Sequence, residues 1–377
     1  MKPIIPLRAA LAGAVLLISA WPAAAETLVK IGFASPLSGP QAHYGKDNEN
    51  AARLAVDELN ARKLQVGGQP VRFQLLAEDD QADPRIGTQV AQRFVDSGVK
   101  AVLGHFNSGV SIPAARIYAA AGVPQLSVST NPVYTRQGYR TAFRLVGSDS
   151  QVGAALGRFA VQTLKAASIV VIDDRTAYGQ GIADEFAKAV QASGGKIARR
   201  EYTNDKASDF SAILTAVKPL RPQVIFYGGA DAQAAPMVKQ MKRLGLDARL
   251  LGGDMLQTPT FLSLAGDSAG GHFAGIPGGQ LNDRPAGKAF RQRYQARFKQ
   301  DVVRLGPQFY DGMMMVAAAM QQAGSVEPAR FMPVLAKLSY AGVSTDFSFD
   351  AKGDLNKAAV TISEVKNGQW TTRAVMQ

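Results

Sequence analysis

The sequence predicts an α/β fold built as two lobes, each with a parallel sheet at its core. Short apolar runs alternate along the chain with longer segments of helical periodicity, the pattern of βα units. At 377 residues the chain is also longer than one hydrophobic core usually organises. A third sign is a weak internal echo. Tyr44-Gly45 precedes Ala55-Val56, and Tyr178-Gly179 precedes Ala189-Val190 at the same offset, each at a loop-to-helix junction after a strand-like run.

In chain order, Lys2 and Arg8 precede the apolar run Ala9 to Ala20, and Ala23-Ala24-Ala25 offers a small-residue cleavage site before Glu26. Residues 1–25 therefore read as a secretory signal peptide, its apolar run shorter than the ~20 residues that cross a bilayer. The mature chain is expected outside the cytoplasm.

Strands are expected at Val29 to Ala34, Val71 to Ala77, Ala101 to Gly104, Gln125 to Val128, Ile169 to Ile172, Val224 to Tyr227 and Arg249 to Gly252. Helices are expected at Asn48 to Ala61, Pro84 to Ser97, Val152 to Leu164, Gly181 to Ala192 and Ala232 to Leu244. Asp83 before Pro84 and Ser150 before Val152 are start signals, and Gly194-Gly195 is a stop.

Composition excludes several chemistries. The chain has no cysteine, which removes disulfides, thiolate metal sites and thiol catalysis. The formal charge of +12 falls to +10 when Lys2 and Arg8 leave with the leader, but the basic residues are scattered among acids, as in Arg291 to Lys299, rather than in aromatic-interleaved stripes. That is a solvated helix face, not a nucleic-acid surface. Gly179-Gln180-Gly181 resembles a dinucleotide loop, yet the third glycine would fall at Asp184, whose carboxylate repels pyrophosphate. There is no Walker sequence and no G-x-S-x-G elbow. His43, His105 and His272 show no metal spacing, and His105 either lines a site or is held within its own loop. No catalytic residue, metal or cofactor is expected.

Open parallel sheets bind ligands at the carboxyl ends of their strands. Here those ends carry Asn107-Ser108-Gly109, Ser129-Thr130-Asn131, Asp173-Asp174 followed by Tyr178, and Asp254. Taken singly, each is a turn or a cap. Together they outline a cradle with neutral donors on one side and an acid on the other. A zwitterion leaving water needs donors for one end and an anion for the other, and Ser108, Thr130 and Asp254 fit these roles.

Further stretches complete a resemblance: Pro36-Leu37-Ser38-Gly39-Pro40, Glu78-Asp79-Asp80 with Asp83-Pro84, Gly104-His105, Gly138-Tyr139-Arg140, Phe143-Arg144, Tyr178-Gly179-Gln180-Gly181 and Tyr227-Gly228-Gly229. In this order they resemble the leucine/isoleucine/valine-type solute-binding proteins of bacterial ABC transporters, which are type I periplasmic binding proteins. The resemblance implies two Rossmann-like lobes joined by three crossovers, near Arg144 to Gly147, Phe273 to Pro277 and Ser348 to Gly353. Lobe 1 would comprise residues 26–145 and 277–350, and lobe 2 residues 146–276 and 351–377.

The resemblance also implies roles. Ser108 and the Ser129-Thr130 loop would hold an α-carboxylate, Tyr178 and Asp254 would come from the other lobe, Asp254 would receive the α-ammonium, and Tyr44 would sit at the cleft entrance. Three departures stand out. Ala230 and Asp231 follow Gly229 where relatives carry an aromatic cover, so Ala230 and Asp231 are expected beside a roomier ligand, with Asp231 assisting the acid. Asp254 replaces a longer glutamate. Ala82 and Asn107 occupy positions that form a disulfide in some relatives. The implied protein is a monomeric periplasmic subunit that delivers a small amino acid, leucine, isoleucine or valine first, to a membrane permease. The rivals are a binder of another small carboxylate or amide, such as an aromatic acid, and a ligand-sensing accessory protein.

Overall fold

The computed structural model describes residues 26–356 and 358–376, so the leader expected over residues 1–25 lies outside the described residues. The first sheet contains Thr27–Ser35 (β1), Gln65–Val66 (β2), Gln69–Asp79 (β3), Ala101–Gly104 (β4), Gln125–Ser127 (β5) and Ala142–Arg144 (β6). Its order is β2-β3-β1-β4-β5-β6, parallel apart from the β2–β3 hairpin. The second sheet begins with Ile169–Asp173 (β7), Ile197–Tyr202 (β8), Val224–Gly228 (β9), Arg249–Gly252 (β10) and Phe273–Pro277 (β11). Tyr340–Ala341 (β12) and Asp346–Phe347 (β13) pair separately, and the hairpin Val360–Lys366 (β14) and Gln369–Met376 (β15) completes the second sheet in the order β15-β14-β11-β10-β9-β7-β8.

The helices are Ala42–Ala61 (α1), Pro84–Asp96 (α2), Ser108–Ala121 (α3), Val133–Arg136 (α4), Asp149–Arg158 (α5), Ala177–Ala192 (α6), Ser211–Val217 (α7), Asp231–Arg243 (α8), Pro259–Ala265 (α9), Pro285–Phe298 (α10), Gly306–Ala323 (α11) and Pro328–Leu335 (α12). The central strands β4, β7 and β9 are buried along their whole length, as continuous apolar runs in covered parallel sheets should be. Helix α2 buries Gly87, Val90, Ala91 and Phe94, one stripe at helical spacing, and Asp83 caps it by accepting the Arg85 amide at 2.7 Å. In the second lobe Phe186 of α6 stacks on Phe226 of β9 with ring centroids 4.0 Å apart, and truncating either ring would cost ~3–5 kcal/mol.

Both sheets reverse direction next to their first strand, between β1 and β4 and between β7 and β9. These are topological switch points, where the loops leave room for a ligand. The repeated Tyr-Gly pair marks them. A Cβ on Gly45 would lie 1.8 Å from the Pro36 carbonyl oxygen, and one on Gly179 would lie 2.1 Å from Asp174 Oδ1. Only glycine lets the first turns of α1 and α6 press against the strand-end loops, and this sets the preceding tyrosine toward the cleft.

Several expected bounds shift. Helix α1 starts at Ala42 rather than Asn48, which places Tyr44 inside its first turn. Helix α5 starts at Asp149 because Gln151 Oε1 accepts the Ser148 amide at 2.9 Å, and it passes into a π-helical turn over Phe159–Thr163. We place the first crossing just after β6. Phe273–Pro277 is not itself a crossing but a wholly buried strand, its apolar run paired with β14, and the chain crosses just after it. The stretch Ser348 to Gly353 also stays on the first lobe, because the Arg144 amide donates to the Gly353 carbonyl at 2.8 Å. The Arg144 guanidinium reaches Asp354 Oδ1 at 2.6 Å. We therefore place the last crossing between Asn356 and Val360 instead of at 350.

Candidate functional site

The two lobes are closed on each other. Tyr44 donates its hydroxyl to the Met255 carbonyl at 2.6 Å, Asn131 Nδ2 donates to the Ala177 carbonyl at 2.6 Å, and His43 Nε2 lies 2.9 Å from Asp231 Oδ2. Between them is a cavity of about 20 Å³, room for a single water. Its polar lining is Asn107, Ser108, Thr130, Tyr178 and Asp254, and its apolar lining is Phe106, Val128, Met255 and Leu305.

Each polar group is placed by its strand end. Ser108 opens α3, where a helix leaves N–H groups without partners of its own. Thr130 lies in the turn after β5, and that turn is held by one fully buried side chain: the Arg144 guanidinium donates to the carbonyls of Ser129 and Asn131 and to Thr135 Oγ1. On the second lobe Tyr178, in the first turn of α6, donates its hydroxyl to Asp254 Oδ1 at 3.1 Å. Asp254 begins the short 3-10 turn that follows β10.

Burial pushes the Asp254 carboxyl above the ordinary range, with the Arg304 guanidinium and the Tyr178 hydroxyl pulling it back. Burial, reinforced by Asp254 and Asp149, pushes the Tyr178 phenol well up, so it remains a proton donor. Asp149, fully buried at the start of α5, is pushed to about 8 by desolvation, only partly opposed by Thr130.

The structure thus brings Ser108, Thr130, Tyr178 and Asp254 together around one cavity. It places the other expected residues elsewhere. Tyr44 stacks on Phe106 with centroids 5.2 Å apart and stands behind that ring. Ser129 supplies backbone: its amide donates to Ser127 Oγ at 2.9 Å and its carbonyl takes the arginine. Ala230 is the residue before α8 and is absent from the cavity wall. Asp231 is also absent from that wall: its Oδ2 accepts the Thr258 hydroxyl at 2.6 Å and lies 2.9 Å from His43 Nε2, while its Oδ1 is buried with no hydrogen-bond partner among the described residues. His105 is buried between Asp80 at 2.8 Å and the Tyr118 hydroxyl at 3.1 Å, a structural pairing outside the cavity wall. Leu305 and Arg304 escaped the sequence reading. They lie between α10 and α11, where no strand end marks them. Among the described residues no cluster of His, Cys, Asp or Glu could hold a metal ion, and no helix is long and apolar enough to cross a membrane.

Two doubly wound lobes closed over a small polar cavity, donors on one side and an acid on the other, define a solute-binding protein that works by cleft closure. Residues 28–369 match the periplasmic binding protein family, and the chain belongs to it. A Leu/Ile/Val-binding protein homologue of Brucella abortus is 36% identical over 342 residues, covering 89% of this chain and 88% of the relative. A leucine-, isoleucine-, valine-, threonine- and alanine-binding protein of Pseudomonas aeruginosa is 31% identical, covering 90% of each chain. The branched-chain amino acid transporter substrate-binding protein of Streptococcus pneumoniae, solved with isoleucine, superposes with a TM-score of 0.81 at 26% identity, covering 93% of this chain and 99% of that one.

Proposed function

We propose that this protein is the periplasmic solute-binding subunit of an ABC importer, exported by a cleaved leader, which captures a small α-amino acid and presents it to a membrane permease without chemical change. The observation that carries this reading is the pairing of Ser108 and Thr130 on one lobe with Tyr178 and Asp254 on the other around one closed cavity. The first pair suits an α-carboxylate and the second an α-ammonium, and a ligand with both ends would hold the lobes shut. Leucine, isoleucine and valine come first among candidates, since they figure in the names of the Brucella and Pseudomonas relatives and isoleucine is bound in the pneumococcal structure.

One observation favours a second reading: burial raises the Asp254 carboxyl, and a protonated acid there would suit an aromatic or aliphatic carboxylate lacking an ammonium. Thermal-shift screening of refolded, ligand-free protein against the twenty amino acids and simple aromatic acids separates the two. A ligand of the folded state raises the melting temperature in step with the logarithm of its concentration. Stabilisation by aromatic acids alone would overturn the amino-acid reading.

A further inference from the structure

We propose that Arg304 is a second ligand-binding group, so that the site accepts α-amino acids whose side chain ends in a planar oxygen acceptor, a carboxamide above a carboxylate. This rests on the amino-acid reading above. Leu305 and Met255 line the small cavity, and their near neighbours Arg304 and Gln257 line a second one of about 350 Å³ beside it. The two spaces share one partition, made from the turn after β10 and the loop before α11. A ligand whose head lies at Asp254 and that extends past that partition would meet Arg304.

The second cavity has a built polar lining. Its charged groups are Arg291, Asp301 and Arg304. Arg291 and Asp301 satisfy each other, with Arg291 Nε donating to Asp301 Oδ1 at 2.7 Å. Among the described residues Arg304 has no such hydrogen-bonded partner for its Nε and Nη2, which are buried unpaired, as are Gln257 Oε1 and Gln308 Oε1 on the same wall. Its backbone is fixed in advance. The Asp47 carboxylate accepts the amides of Val303, Arg304 and Gly306 at 3.0, 2.9 and 3.0 Å, which holds the loop in place.

A guanidinium with free N–H groups on one edge recognises planar oxygens. The two glutamine amides offer either a donor or an acceptor, according to their rotation, to whatever lies beside it. A carboxamide would use both. A carboxylate would add negative charge to a cleft where Arg304 already offsets Asp254, and so ranks second.

Calorimetry on refolded, ligand-free protein tests this with leucine, norleucine, glutamine and glutamate. Norleucine has similar reach to glutamine but no acceptor. In Arg304→Met the ratio of glutamine to norleucine affinity should fall at least ~10-fold, the scale of hydrogen bonds to a charged group. Arg304→Lys, which keeps the charge but not the fork, should lower the ratio less, and it carries the test if the methionine variant does not fold. An unchanged ratio in both variants overturns the proposal. So does a wild type that binds leucine but neither glutamine nor glutamate, an outcome that leaves the amino-acid reading standing. Failure of all four ligands removes both.

Discussion

His43 Nε2 lies 2.9 Å from Asp231 Oδ2 and so ties the start of α1 on one lobe to the first turn of α8 on the other. Asp231 is fully buried and His43 only partly so, and the contact can form only once the lobes have met. Interactions made after encounter act on dissociation more than on association. His43→Ala should therefore speed ligand release about five-fold, the equivalent of ~1 kcal/mol for one net hydrogen bond. Stopped-flow traces in which only the association rate changes would show that the clasp does not belong to the closed state.

Thr130 lines the cavity while Arg144 holds its turn from behind. Thr130→Val keeps the shape and removes the hydroxyl, so amino-acid affinity should drop ~10-fold or more while the unliganded melting temperature barely moves. Unaltered affinity in calorimetry would remove Thr130 from the site. A lower melting temperature would instead assign it to the turn.

Tyr178 sits on the second lobe and reaches Asp254. Tyr178→Phe should leave the lobe packed but free one carboxylate oxygen of a donor, and ligand dissociation should accelerate by about 3- to 30-fold. Association should stay within a factor of two or so, because the first encounter is expected on the other lobe. A variant that binds slowly and releases normally would reverse that order.

Much of this arrangement was legible because parallel sheets place function at strand ends. The runs ending at Gly104 and Gly252 pointed to Ser108 and Asp254, and the Tyr-Gly echo pointed to the helix starts of both lobes. Most of what escaped lacked such a signal. Strand β8, IARREY, is a charged edge strand without clean alternation. The β14–β15 hairpin did carry one, Asn367-Gly368, both with positive φ as its tight turn requires. Asp231 lies off the cavity wall, and only the folded chain shows that His43, 188 residues earlier, meets its Oδ2. Arg304 could not be found from its neighbours in sequence, since what makes it notable is that its buried Nε and Nη2 meet no hydrogen-bond acceptor among the described residues.

Asp149 gives the fold a pH dependence of definite sign. Its buried carboxyl is held at about 8 against an ordinary 3.8, so the native state keeps a proton that the unfolded chain releases. The stability due to this group is complete below the unfolded value and is lost as pH rises through the native one. Between about pH 4 and 8 the wild type should therefore lose stability relative to Asp149→Asn, by an amount on the order of several kcal/mol. Denaturant unfolding across that range checks it. Parallel stability curves for the two proteins would mean that Asp149 ionises freely in the folded state.

Asp254 separates amino-acid binding from carboxylate binding, and its surroundings set the sign of the effect. Burial favours the protonated acid, Arg304 and Tyr178 favour the anion, and a bound α-ammonium would tip the balance to the anion. Leucine affinity should then fall on acidification, as the carboxyl takes up a proton. Asp254→Asn keeps the shape but leaves the ammonium without its counter-charge, at a cost of ~2–5 kcal/mol, so leucine should bind tens to thousands of times more weakly. The deaminated analogue 4-methylpentanoate has no ammonium to lose. It should bind wild type poorly, because an ionised Asp254 repels it, and the substitution should help it or leave it unharmed. If calorimetry shows the wild type preferring the deaminated acid, with affinity rising as pH falls, then Asp254 works as a neutral acid and the ligand is a carboxylate without an amine.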